Sequence, residues 1–364
     1  MSRHHNLLIR ARRGAALAGC GLLVLVSACS RSAREVEIIL PETRFEITAG
    51  TPAVIERALA AGAYSLTVTE DLLDVETSLT VGDQTTTVHD PIERHGKQIV
   101  YLNLPAPATI RLEVSSTDHR SKVGVAQIEF ARWSRTADAA QSQSERGDSR
   151  YSAALVAQSQ EHDALSSAAA LALHEAADHY RRAGDRHAER LVNYIRGRYA
   201  YLVSSDWQAA EKFARAAKDL ANQSNDAVAA ARADVLTASA RIERANELAG
   251  PDVKAERAKL LDSSNSLLVA STKIFADARL PIDQVAALTF QGVGQWAAQN
   301  ADEARTTFVA AVAIARASND AFSEARALGN LAWLDYERAD IRSAADEYSR
   351  LLDLIEKERQ PDLY

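Results

Sequence analysis

From residue 35 to about residue 133 apolar and polar positions alternate with a period of two. Tyr64, Leu66 and Val68 alternate with Ser65 and Thr67, and Ile110, Leu112 and Val114 with Arg111 and Glu113. Such alternation, rich in β-branched residues, predicts strands with one buried face. Candidate strands are 35–40, 45–48, 53–59, 63–69, 75–81, 85–88, 98–104, 109–115 and 124–132, punctuated by Gly50, Gly62, Gly82-Asp83, Pro91, Gly96, Pro105 and Pro107. Short strands at spacings near ten, with no helical stretch between them, predict an antiparallel sandwich over 35–134. Residues 135–150 turn to Ser, Gln, Ala and charge and read as a linker or lead-in helix. From 151 to the end the period is helical, and alanine-rich stretches favour helix.

The helical part repeats itself. Ser224, Asn225, Asp226, Ala227, Ala231, Arg232 and Ala233 recur 94 residues later as Ser318, Asn319, Asp320, Ala321, Ala325, Arg326 and Ala327, which suggests two units of about 47. Repeats of this size built from helix pairs predict a solenoid, because one pair cannot bury its apolar face alone. Leu328, Leu331, Ala332, Ala344, Tyr348 and Leu351 in the last unit, and Leu288, Gly292, Ala304, Phe308 and Ala311 in the one before, alternate small and large residues as close helix packing requires. An earlier unit has Gly197, Asp206, Trp207, Ala209, Ala210, Phe213, Ala216 and Ala217. Its register is open by one residue, so that Arg198 could fall where Gly or Ala is wanted.

These units resemble tetratricopeptide (TPR) repeats over roughly 165–360, most closely in the last two, with long helices of the kind seen in kinesin-light-chain-like arrays. The resemblance implies a superhelical solenoid with a concave face made by the first helix of each pair. In the family register that face carries Phe290 and Trp296 in one unit and Arg326, Asn330, Trp333, Tyr336 and Glu337 in the last. Aromatics beside an Asn and an Arg suit capture of an extended peptide or a partner helix. The other reading is that Trp296, Trp333 and Tyr336 pack within the array.

At the amino end Arg3, Arg10, Arg12 and Arg13 precede an apolar run over 15–26 and then Ser27, Ala28 and Cys29. A basic start, a short apolar core and small residues describe an export signal over 1–28, and the run is too short to span a bilayer. Residues 26–29 resemble the lipobox of bacterial lipoproteins, which implies acylation of Cys29, a tether over 29–34 and attachment to a membrane. Ser30 after the cysteine implies the outer membrane, facing the periplasm. Losing 1–28 removes four arginines and no acid, moving the net charge from -7 to -11.

Composition narrows the chemistry. The net charge of -7 and the lack of a basic stripe argue against nucleic-acid binding. Cys20 and Cys29 are the only cysteines, so neither a disulfide framework nor a cysteine zinc site is expected. His89, Asp90, Glu93 and His95 fit no compact zinc spacing, and Pro91 and Gly96 mark their segment as a loop. His179, Arg181, Arg182, Arg186, His187 and Arg190 interleave with Glu175, Asp178, Asp185 and Glu189 and read as a salt-bridged helix surface. No catalytic residue, metal or cofactor is expected.

The order of a β-sandwich followed by TPR units, with segments around Leu112–Val114 and Ile128–Phe130, resembles CHAT-domain-containing proteins without their caspase-like peptidase domain. The expected function is a non-catalytic, lipid-anchored envelope adaptor that binds a protein or peptide. One alternative is a truncated or regulatory relative of a CHAT-type peptidase system. Another is an envelope carbohydrate-binding module, for which Tyr64, Tyr101 and Trp133 are the few candidate aromatics.

Overall fold

A computed structural model describes residues 36–47, 52–71, 75–89, 97–116, 124–133, 139–159, 167–248 and 250–358. The lipobox-like segment with Cys29 lies outside them, as do Asp90, Glu93 and His95.

The first part is antiparallel β-structure. Its strands are β1 (Val36–Ile47), β2 (Ala53–Leu59), β3 (Gly62–Asp71), β4 (Val75–Val81), β5 (Gln84–His89), β6 (Lys97–Leu104), β7 (Ala108–Ser116) and β8 (Gly124–Trp133). They form two four-stranded sheets, ordered β1-β8-β3-β6 and β2-β7-β4-β5. Alternation does what the sequence pattern asks. On β7, Ile110, Leu112 and Val114 are buried, while Arg111 faces solvent and bonds Glu56 and Glu113, each at 3.2 Å. The stretches 35–40 and 45–48 run as one strand, β1, and its pairing with β8 slips between Ile38 and Leu40 and again before Thr43. Pro41, which has no N–H for a ladder, lies in that slip.

Among the described residues the second part has ten α-helices, α1 (Ala139–Ser159), α2 (Ser167–Ala183), α3 (Arg186–Leu202), α4 (Trp207–Gln223), α5 (Ala227–Glu247), α6 (Lys254–Asp277), α7 (Pro281–Ala297), α8 (Ala301–Ala317), α9 (Ala321–Glu337) and α10 (Ile341–Glu358). α1 packs on β5 and β6. Ser152 accepts the Tyr101 N–H at 3.0 Å, and Tyr101 and Tyr151 donate to Glu145 and to the Lys97 carbonyl, each at 2.7 Å. One buried cluster runs from both sheets through α1 and α2 to Tyr199 of α3.

From α3 onward each helix packs on the next, and α3 touches α5, α5 touches α7, and α7 touches α9. The first helices of four pairs therefore form an inner row. The joints share one construction. Gly184, Ser205, Asn225, Arg279, Gln299, Asn319 and Ala339 each adopt a left-handed backbone, with φ between 49° and 70°. The next residue's N–H returns to the preceding helix, as Asp226 does to the Ala221 carbonyl at 3.0 Å. In five joints that next residue is an aspartate (Asp185, Asp206, Asp226, Asp320, Asp340) whose carboxylate accepts an N–H of the following helix at 2.9–3.2 Å.

The 94-residue echo is two unequal steps. α5, α7 and α9 begin at 227, 281 and 321, steps of 54 and 40 residues. α5 and α6, at 21 and 24 residues, are longer than their neighbours, and Gly250-Pro251 adds a connection between them. The seams are tight at small residues. A Cβ on Gly292 would stand 2.5 Å from the Phe308 ring, and one on Gly197 would meet the backbone of Ala210 and Ala214 at 3.3–3.4 Å. Gly197 is thus the seam residue of its unit. Between α5 and α6 serines serve instead: Ser264 and Ser271 donate to the carbonyls of Ala238 and Ala231, each at 3.2 Å.

Candidate functional site

The inner row encloses a pocket of about 270 Å³. α3 supplies Arg190, Tyr194, Arg198 and Tyr201, spaced four, four and three apart, which places them on one helical face. α5 adds Arg232 and Val235; α7 adds Asp283 and Phe290; α9 adds Phe322 and Arg326. The ring of Tyr201 sits 6.1 Å from Phe290, edge to face, and 5.3 Å from Trp207. The Arg326 guanidinium lies 5.8 Å from the Phe322 ring centre.

Ion pairs tie neighbouring inner helices together. Arg232 of α5 makes two bonds of 2.8 Å to Asp283 of α7. Burial works against the Arg232 charge, but the bonds from Asp283 outweigh it and its pKa ends above the usual arginine value. Arg190 of α3 pairs with Asp226, the cap of α5. Burial would raise the Asp226 carboxyl, yet the Ala229 N–H and Arg190 hold it below the ordinary aspartate range. Burial, with Glu243 accepting its O–H at 3.4 Å, pushes the Tyr201 phenol well above its usual value. The charges of Arg198 and Arg326 offset part of that rise.

Of the concave residues expected from sequence, Phe290 and Arg326 line this pocket. The others do not. Trp296 packs half-buried against the cluster of α7, α8 and α9. Asn330 donates to the Arg326 carbonyl one turn back, at 3.0 Å. Trp333 and Tyr336 are exposed, with ring centres 5.8 Å apart, and Glu337 beside them is exposed too. Sequence reasoning missed Tyr194, Arg198, Tyr201, Arg232, Asp283 and Phe322. The repeat itself held a signal, because Arg232 and Arg326 are the same position of the echo, and both face the pocket. The basic surface over 179–190 divides: Arg181 bonds Asp178 and Glu189, each at 2.8 Å, while Arg190 turns into the pocket.

Of the aromatics in the sheets, Tyr64 and Trp133 are buried, and Trp133 donates to Ser65 at 2.8 Å, so neither offers a face to a sugar. Among the described residues no group of three or more His, Cys, Asp or Glu is placed to hold a metal, and no helix is long and apolar enough to cross a membrane.

No protein-family model and no curated protein sequence matches the chain. Among solved structures it is similar to aspartyl phosphate phosphatase F from Bacillus subtilis, with a TM-score of 0.52 and 13% identity over 62% of this chain and 54% of that one. A Rap protein solved in complex with competence and sporulation factor aligns with a TM-score of 0.43 and 13% identity, over 59% of this chain and 55% of that one. The chain thus spans about half the length of the solved proteins it matches. The helical region is a TPR-like solenoid. The pocket lies on the inner row of that solenoid, where the first helix of each pair faces the next.

Proposed function

We propose that this protein is a non-catalytic adaptor that holds a protein or peptide partner against the inner row of its solenoid. The observation that carries the reading is the pocket on the inner row, where rings and arginines from α3, α5, α7 and α9 converge. Large aromatics and arginines at the centre of a groove are the residues that dominate binding energy at interfaces. The likeness to a protein named as a phosphatase concerns the backbone path at 13% identity and brings no catalytic residue with it. In this reading the two sheets form a sandwich that acts as a spacer or second recognition surface, and an acylated Cys29 tethers the chain to the outer membrane on its periplasmic side. The sequence of residues 1–29 supports the anchor.

The test is envelope crosslinking and capture with the full chain, compared with Tyr194→Ala combined with Phe290→Ala. The partner is expected to be lost from the double variant while its circular dichroism stays that of the parent. Undiminished capture by the double variant would place recognition elsewhere. The anchor is checked separately by fatty-acid incorporation, which Cys29→Ser should abolish.

A further inference from the structure

The chain carries a net charge of -7, yet the pocket is lined by four arginines and a single aspartate. Two of the four are matched within the protein: Arg232 by Asp283 across two 2.8 Å bonds, and Arg190 by Asp226. Arg198 is different. Its Nε is buried and has no hydrogen-bond partner in the protein. Leaving a charged donor buried and unbonded is costly, and a planar guanidinium is satisfied best by a carboxylate, which it can grip through two parallel bonds. The apolar side of the same pocket is close by. Tyr201 is one helical turn from Arg198 and packs on Phe290, and Phe322 lies under the Arg326 guanidinium.

We infer that the ligand of this groove is an extended peptide bearing an acidic side chain, its carboxylate on Arg198 and an adjacent large apolar side chain among Tyr201, Phe290 and Phe322. The inference rests on the proposed role of the inner row and adds the chemical class of what it holds. The size agrees, since about 270 Å³ admits individual side chains rather than a folded surface. Four packed helices at about 10 Å spacing extend the row over roughly 30 Å, the reach of about nine extended residues.

The experiment pans a random heptapeptide library on the full chain in detergent, and in parallel on Arg198→Gln and Arg198→Lys. Peptides recovered by the parent should be enriched in Asp or Glu next to Phe, Leu, Ile or Trp. The acidic enrichment should vanish on Arg198→Gln and survive in part on Arg198→Lys, which keeps the charge but not the fork. For a recovered peptide, replacing its Glu by Gln should weaken binding by about tenfold or more, as for a charge-assisted bond. On Arg198→Gln the same replacement should change binding less than twofold. Enrichment of neutral or basic peptides by the parent would overturn the acidic class and leave the groove reading intact. Recovery of no peptide at all would overturn the peptide ligand, while the adaptor reading would still stand or fall on the capture experiment. Unchanged melting of the variants separates loss of the contact from loss of the fold.

Discussion

Glu347 on α10 is buried, with Asp335, Asp340, Asp346 and Arg305 facing it. Burial first, then the Asp335 charge, push its carboxyl up to about 7, against the pull of Arg305 at 3.9 Å. Between its ordinary value near 4.5 and about 7 the native protein keeps a proton that the unfolded chain has already released. Stability from this group therefore falls as pH rises through that window. Glu347→Gln, which cannot ionise, should melt with the parent at pH 5 and above it, by about 2 °C, at pH 8; a constant offset at both pH values would contradict the assignment. Ala339 poses a different strain. Its φ of 62° is one a side chain adopts at a cost of about 1–2 kcal/mol. Ala339→Gly should raise stability by several tenths of a kcal/mol, after the entropy of the unfolded glycine offsets part of the gain. Removing a joint's cap by Asp320→Ala should instead cost about 1 kcal/mol in urea unfolding.

At the level of elements, glycines two residues apart on α7 do different work. A methyl group on Gly292 would strike the Phe308 ring at 2.5 Å, whereas one on Gly294 would meet only the end of Ile242, at 3.1 Å. The first contact is with a rigid ring and is shorter by 0.6 Å, whereas the second is with the far end of a flexible side chain. Gly292→Ala is accordingly expected to destabilise by about 1–3 kcal/mol, and Gly294→Ala by much less. Urea melts that ranked the two the other way would show that α7 and α8 approach elsewhere. The small-large alternation of this seam was legible in sequence, because Gly292, Ala304, Phe308 and Ala311 recur at helical spacing. The partner of Gly292 was not. The crossing of the helices brings the Phe308 ring over it.

Taken whole, residues 36–358 divide unevenly in how tightly they are coupled. The sheets and α1 to α3 share one buried cluster, α5 to α7 share a second, and α7 to α10 share a third. Leu155 of α1 is at the meeting point, with 0% of its surface exposed. Leu155→Ala should cost about 2–5 kcal/mol and loosen hydrogen exchange in both sheets and in α2 and α3. In a chain where repeats feel only their neighbours, α9 and α10 should keep their protection. Exchange that rose uniformly to α10 would mean a single cooperative unit.

The amino-acid order alone determines the period-two strands, the helix pairs and their aspartate joints, since propensity, alternation and capping act within a few residues of one another. The resemblance to TPR repeats also marks Phe290 and Arg326 as inward-facing. Only the tertiary structure decides that Arg198 enters a groove rather than a seam, that Trp333 and Tyr336 stand clear of it, and that α1 joins the sheets to the solenoid. Those outcomes depend on crossing angles and unequal steps between units, which sum contacts from residues tens of positions apart and leave no trace in local spacing.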